Sequence, residues 1–199
     1  PHEFLPQLRD LATEMDIALI VDEVISGFRA HQGGAQAYFG IKGDMATYGK
    51  IVGGGMPIGV LAGRHEYMDA LDSGMWNFGD DSVPEADMAF FAGTFVRHPL
   101  AVAAAHAVRT HLKEEGPGLQ EGLNQKTTEL AADLNAFFQR RGVPIRITYF
   151  SSLFRFSFPP DLEFIDLLYY HLLGKGIYTR GFTENCFLSV AHSDEDIAH

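Results

Sequence analysis

The sequence predicts an α/β protein with two regions: a largely parallel sheet covered by helices over residues 1–115, and an α+β region over residues 116–199. In the first region short apolar runs alternate with helical patterns, which is typical of parallel sheets whose strands are joined by helices. The segment EEGPGLQ then interrupts this alternation. The second region starts with a long helical pattern and continues with strands in which apolar and polar residues alternate.

The first region begins with an amphipathic helix, since Leu5, Leu8 and Leu11 recur at helical spacing. This helix leads into an apolar strand over residues 17–21. The other elements predicted here are strands over 45–48 and 59–63 and helices over 65–71 and 99–113.

The second region begins with a helix that has five apolar side chains on one face and ends at Gly142 and Pro144. Those side chains are Leu119, Leu123, Leu130, Leu134 and Phe138. Ser193 with the acidic residues after it has the signature of a helix start. The elements predicted between these helices are strands over 145–150 and 152–158, a helix over 163–176, and strands over 177–179 and 186–190.

Composition narrows the class of protein. A formal net charge of -11 argues against a nucleic-acid partner, because phosphate binding usually needs a basic face. The single cysteine, Cys186, excludes an internal disulfide framework and fits a reducing compartment. No apolar run approaches the ~18 residues of a membrane-spanning helix, and the first residues lack the pattern of a signal peptide. We therefore expect a cytoplasmic protein without a membrane partner.

Both ends of the sequence suggest a piece of a longer protein. The chain begins without Met inside a helical pattern, and it ends a few residues after the helix start at Ser193. We expect further sequence on both sides.

Charged residues follow two of the predicted strands. Asp22 and Glu23 come directly after the apolar run, and Lys50 follows the strand MATY. Side chains just beyond the carboxyl ends of parallel strands face the crevice in which such sheets bind ligands. The sequence thus predicts that an acidic pair and a lysine face one crevice.

Two chemistries can use such a crevice. A nucleotide-binding ATPase would need a phosphate loop, but GDMATYGK has five residues between its glycines where four belong, and Ile51 stands where a metal-binding hydroxyl is required. A pyridoxal phosphate enzyme needs a lysine for the Schiff base and a carboxylate to keep the pyridine nitrogen protonated. Lys50 and Asp22 match those two needs. The glycines at 53–55 would let the backbone turn closely beside a flat cofactor.

The segments LIVDEVISGFR and GGAQAYFGIKGDMATYGKIVGGGMPIGVLAGR closely resemble the core of class III aminotransferases, in particular the glutamate-1-semialdehyde aminomutase-like branch. The resemblance implies a fold type I pyridoxal-phosphate transferase, with the C-terminal part of the large domain in 1–115 and a small C-terminal domain, truncated at its end, in 116–199. It further implies that Lys50 is the catalytic lysine, that Asp22 pairs with the pyridine nitrogen, and that Val24 packs on the ring. Glu23 is also expected at the cofactor, with the alternative that it only accepts backbone hydrogen bonds and supports Asp22.

Thr94, in FFAGTFVRHPLAVAAA, matches the family threonine that reaches the cofactor phosphate of the neighbouring subunit. The resemblance therefore implies a homodimer with shared active sites. The family's phosphate-binding Gly-Ser/Thr loop and its ring-stacking aromatic residue would precede residue 1. We accordingly expect these 199 residues alone to be inactive.

The segments YFSSLFRFSFPPDL and NCFLSVAHSDEDI are similar to aminotransferase domains of hybrid polyketide and nonribosomal peptide synthetases. That similarity implies an amino acid donor and a β-keto acyl chain tethered to a carrier protein. A free-standing glutamate-1-semialdehyde aminomutase and a non-catalytic scaffold of the same fold remain alternatives.

Other polar residues have simpler interpretations. Glu184 aligns loosely with an aminomutase glutamate, and Arg155 could hold a substrate carboxylate, although an alternating strand favours an exposed position. His98 is expected at a helix entry, and Cys186 as a small apolar residue of the interior. No metal site is predicted.

Overall fold

The computed structural model describes residues 1–72, 74, 76–84, 89–179, 181 and 184–199. The chain divides into two compact units, Pro1–Gly116 and Pro117–His199. Among the described residues, each unit contains one three-stranded sheet. No helix in these ranges combines the length and the apolar character needed to cross a bilayer.

The first unit has strand order β1-β2-β3, with β1 and β2 parallel and β2 and β3 antiparallel. Its elements in chain order are α1 (Phe4–Glu14), β1 (Ile20–Glu23), α2 (Gly34–Phe39), β2 (Met45–Tyr48), a 3-10 helix (Lys50–Gly53), β3 (Val60–Gly63), α3 (His65–Asp72) and α4 (Pro99–Glu115).

The structure corrects two sequence predictions in this unit. The first strand covers Ile20–Glu23 instead of residues 17–21, and Ile17 and Ile20 are both more than half exposed. The third strand is antiparallel, so the sheet is not largely parallel over its described strands. Only residues 49–59 join β2 to β3, and a parallel crossover needs a dozen or more residues.

The helices α3 and α4 lie within two residues of their predicted ends, whereas α2 and the 3-10 helix were not predicted. A helix as short as Gly34–Phe39 has too few turns for a periodic apolar pattern. His98 is the N-cap of α4, where its Nδ1 accepts from the Ala101 amide, which confirms the helix-entry role.

The second unit has strand order β4-β5-β6, and both pairs are antiparallel. Its elements are α5 (Gly118–Arg141), β4 (Arg146–Phe150), β5 (Leu153–Ser157), α6 (Ile165–Gly174), β6 (Cys186–Phe187) and α7 (Asp194–Ala198). The helix α5 packs on the sheet through a buried cluster of Ala131, Phe138, Ile145, Ile147 and Phe156.

Several details of this unit match the sequence. Gly142 ends α5 in the left-handed conformation at φ 65°, and Ser193 forms a capping box with Asp196 at the start of α7. On β5, Phe156 is buried and Arg155 is exposed, as the alternation predicts. Residues 177–179 form no strand, and β6 has two residues instead of the predicted five.

Candidate active site

The parallel pair β1 and β2 brings Asp22 and Lys50 to one edge of the sheet. Asp22 is paired with Thr47 in the register, and Lys50 follows Thr47 by three residues. Because parallel strands end at the same edge, both charges lie at the carboxyl ends of the strands. Asp22 and Glu23 are the last residues of β1 itself, not the residues after it as the sequence suggested.

The Asp22 carboxylate is exposed and fixed through one of its oxygens. Oδ1 accepts from the Val24 amide at 2.9 Å and from the Thr47 hydroxyl at 3.0 Å. Among the described residues, Oδ2 has no hydrogen-bond partner. One oxygen therefore orients the group, and the other is available to accept a proton donor.

Lys50 is the first residue of the 3-10 helix and has φ 49°, a left-handed backbone conformation that costs a side-chain-bearing residue energy. Its side chain is exposed, and within the described ranges no carboxylate lies at ion-pair distance from it. Local strain at an exposed lysine is a feature that often marks a functional position. The amine is accessible from the solvent.

Val24 lies beside the backbone that carries Lys50. A Cβ placed on Gly49 would stand 3.4 Å from Val24 Cγ1, so the Val24 side chain packs against the residue before Lys50. This edge of the sheet thus presents a carboxylate, an amine and an apolar branched side chain.

Glu23 points away from this edge and is completely buried. Its carboxylate accepts from the Ser26 hydroxyl, from the Ala35 amide at 3.0 Å and from the Gln36 amide at 2.8 Å. These amides belong to the first turn of α2. Direct contact with a cofactor would require Glu23 to give up these bonds, so the geometry favours a supporting role.

Two of the three glycines at 53–55 are explained by packing within the protein. A Cβ on Gly53 would stand 2.9 Å from Ile58 Cγ2, and one on Gly54 would stand 2.8 Å from Val108 Cγ2 of α4. Contacts within the protein therefore suffice to explain why Gly53 and Gly54 are glycines, without the flat cofactor that the sequence suggested.

Thr94 is exposed in a turn over residues 94–97, and α4 begins at Pro99. It lines an open hollow of about 570 Å³ together with Ile58, Gly59 and His98. Thr94 is not the helix cap, since His98 has that position.

The sequence analysis missed two buried polar residues of the first unit. Asp44 accepts from the Leu19 amide and from Arg9, both at 2.7 Å, and from Arg64 at 3.0 Å. The Leu19 amide first, then the two guanidinium groups, hold the pKa of the Asp44 carboxyl well below its ordinary value. Gln36 is also buried. A single Asp or Gln in a loop-like segment gives no sequence signal that it will be buried.

The remaining candidates lie in the second unit. Glu184 and Arg155 are exposed. Cys186 is half-buried and packs against the core cluster, which confirms the apolar interpretation.

Comparison with known proteins identifies the family. The sequence profile of the family Aminotransferase class-III matches residues 1–192. Among solved structures, an omega-transaminase from Sphaerobacter thermophilus is similar with a TM-score of 0.83 and 27% identity, over 100% of this chain and 45% of that one. A beta-phenylalanine aminotransferase from Variovorax paradoxus is similar with a TM-score of 0.81 and 30% identity, over 100% and 45% of the two chains.

The FumI protein of Sphingopyxis sp. MTA144, in its PLP internal aldimine form, is similar with a TM-score of 0.80 and 26% identity, over 100% of this chain and 44% of that one. The chain thus spans less than half the length of these structures. Its architecture is that of the transaminases, as the resemblance implied. The chain belongs to the class III aminotransferase family.

Proposed function

We propose that this chain acts in a pyridoxal 5'-phosphate-dependent aminotransferase, which transfers an amino group from an amino acid donor to a keto group. The observation that carries the proposal is the placement of Asp22 and Lys50 at one edge of the sheet, in a chain of the class III family. The similarity to an omega-transaminase and to the FumI protein, which was solved in its PLP internal aldimine form, supports the same activity.

The donor set at this edge fits that cofactor. Asp22 Oδ2 can accept from a protonated ring nitrogen, since Oδ1 is already occupied by Val24 and Thr47. The exposed Lys50 amine can attach to an aldehyde, and Val24 offers an apolar surface to a ring. The residues proposed to hold the cofactor are therefore Asp22, Val24 and Lys50, with Thr94 on the phosphate and Glu23 behind Asp22.

The cofactor, when bound, supplies an electron sink for the carbanion formed at the donor carbon. The protein's part is to hold charge and move one proton. The negative charge of Asp22 favours the protonated form of the ring nitrogen. Lys50 would hold the cofactor through its Nζ, and once that amine is free it would move the proton between the donor carbon and the cofactor. In the second half-reaction, Lys50 performs the same transfer in reverse on the keto substrate.

Thr94 is proposed to reach the phosphate bound in a second copy of the chain, which makes the functional unit a homodimer. Support comes from the segment around Thr94, where large apolar side chains are exposed to a degree unusual for a monomer's surface. These side chains are Phe90, Phe91, Phe95, Leu100 and Val102.

The finer proposal concerns substrate and setting. The assembly-line resemblance favours a β-keto acyl chain tethered to a carrier protein, aminated at the β carbon in the cytoplasm. We also propose that these 199 residues do not catalyse amino transfer by themselves, because the family's phosphate-binding loop is not among them. Incubation with a carrier-bound β-keto thioester and, in parallel, with glutamate-1-semialdehyde separates this substrate from that of an aminomutase.

The decisive experiment for the activity uses the full-length protein that carries these residues. The protein is incubated with pyridoxal phosphate, its visible absorption is recorded, it is reduced with borohydride, and the labelled peptide is mapped. We expect the label on Lys50, with the exposed Lys42 and Lys113 as internal comparisons.

A Lys50→Ala variant should lose the absorption band, whereas Lys42→Ala should keep it. Amino transfer from a panel of amino acids to keto acceptors is then measured on the wild type. A folded protein that is labelled equally on all three lysines, or that binds no cofactor, would contradict the aminotransferase proposal and leave a scaffold of the same fold.

A further inference from the structure

The buried carboxylate of Glu23 is the centre of a polar cluster behind the candidate site. It is completely buried and accepts from the first amides of α2, at Ala35 and Gln36, as well as from Ser26. A buried charge is stable only when its oxygens are satisfied, and charge-assisted bonds are the stronger ones. The cluster therefore connects the end of β1, one residue after Asp22, to the start of α2.

Gln36 extends this cluster to both ends of β2. Its side-chain Oε1 accepts from the Gly43 amide at 2.7 Å, two residues before the strand, and its Nε2 lies 3.5 Å from the Tyr48 hydroxyl at the strand's last residue. Its own amide donates to Glu23. One side chain thus connects the end of β1 with the start and the end of β2.

The Tyr48 ring packs against Gly27 and Phe28, in the segment between β1 and α2. A Cβ on Gly27 would stand 2.7 Å from Tyr48 Cδ1, and the Phe28 ring centre is 5.5 Å from that of Tyr48. Burial, and then the negative charge of Glu23, raise the pKa of the Tyr48 phenol above its ordinary value. The hydroxyl therefore stays protonated within this cluster at neutral pH.

The position of this cluster has a consequence for the two site residues. Glu23 is paired with Tyr48 in the register, directly beside the Asp22–Thr47 pair, and Lys50 is two residues beyond Tyr48. A slip of one residue between the strands would turn Asp22 or Thr47 to the other face. We propose that Gln36 and Tyr48 are positioning residues, which with Glu23 lock this register and so hold Asp22 and Lys50 at their working separation. This inference rests on the function proposed above.

The test compares Gln36→Leu and Tyr48→Phe with Tyr38→Phe in the full-length protein. Tyr38 is a half-exposed tyrosine on α2, the helix that carries Gln36, and it lies outside the cluster. Tyr38→Phe therefore controls for the loss of a tyrosine hydroxyl elsewhere. Both measurements are made well below the unfolding temperature. The first is amide hydrogen exchange over residues 45–53. The second is borohydride labelling with the cofactor, expressed as the amount of label on Lys50 divided by the amount on Lys42. Tyr48→Phe removes one oxygen only and keeps the ring, so it remains informative if Gln36→Leu folds poorly.

We expect exchange near Lys50 to become about fivefold faster in both cluster variants, the equivalent of one lost hydrogen bond. The Lys50-to-Lys42 labelling ratio should fall by a similar factor while Tyr38→Phe resembles the wild type. Unchanged exchange and an unchanged ratio in folded cluster variants would overturn the proposal. If exchange rises but wild-type Lys50 is not labelled preferentially, the positioning role stands as a property of the fold and the aminotransferase function fails.

Discussion

Replacing Gly34 by alanine should destabilise the first unit far more than the same change at Gly40. Gly34 is the first residue of α2 and Gly40 follows its last residue, and both have positive φ, +77° and +68°, so alanine has a backbone cost of about 1–2 kcal/mol at either position. Around Gly40 a Cβ would meet no atom within 4 Å. At Gly34 a Cβ would stand 2.7 Å from Glu23 Cδ and 3.0 Å from Oε2, which is closer than real contacts allow.

The added cost at Gly34 follows from what Glu23 must give up. The carboxylate has to move away from the Ala35 and Gln36 amides while it remains buried. Hydrogen bonds to charged groups contribute about 1.5–3 kcal/mol each, so losing one of the two brings the total for Gly34→Ala to about 2.5–5 kcal/mol. Gly40→Ala should cost about 1–2 kcal/mol.

Urea unfolding followed by tryptophan fluorescence measures the difference. Trp76 is the only tryptophan of the sequence and belongs to the first unit, so its emission reports on that unit. Equal losses in the free energy of unfolding for the two variants would refute the argument that Gly34 exists to admit the Glu23 carboxylate.

Three further predictions concern other buried contacts. Hydrogen bonds from Leu19 and Arg9 lower the pKa of Asp44 in the folded state. Ionised Asp44 therefore stabilises the folded protein above the ordinary carboxyl pKa of about 4, and this stabilisation is lost as the pH falls below that value. In acid unfolding curves, Asp44→Asn should show a smaller loss of stability over this pH range. Asn135→Ala should cost about 2–4 kcal/mol in urea unfolding followed by far-ultraviolet circular dichroism, which also reports on the second unit, because its side chain bonds both backbone groups of Ile147; a loss under 1 kcal/mol would contradict this. Ile147→Val, at a 2% exposed core position, should cost about 1 kcal/mol by the same assay.

The local elements were predicted well where several residues carry one pattern. The strand MATY was placed at its observed bounds, and the long amphipathic helix ends at Gly142 as predicted. These signals are local, since turn residues, caps and apolar periodicity act within one or two turns of chain. The first strand was misplaced because the apolar run begins before the strand does. Nothing within an apolar run indicates the residue at which pairing with the next strand begins.

The candidate site was only partly predictable. Asp22, Val24, Lys50 and Thr94 were selected by residue type and by resemblance, and their roles stay predictions. Backbone hydrogen bonds to Glu23 were one of its two predicted roles, but the residues that supply them were not predictable, because the Ala35 and Gln36 amides lie on α2, more than ten residues further along the chain. The antiparallel orientation of β3 follows from the short connection after β2, which has too few residues for a parallel crossover.

The sequence by itself determined the family, the kinds of side chain available for chemistry, and most helix bounds, because these depend on residue identity and on interactions between near neighbours. Only the tertiary structure decided that, among the described residues, one carboxylate oxygen of Asp22 has no hydrogen-bond partner while both oxygens of Glu23 accept hydrogen bonds from the protein. Adjacent residues of a strand point to opposite faces. Which face becomes the crevice and which is buried is set by the helix that packs there, and long-range packing of that kind leaves no trace in a local pattern.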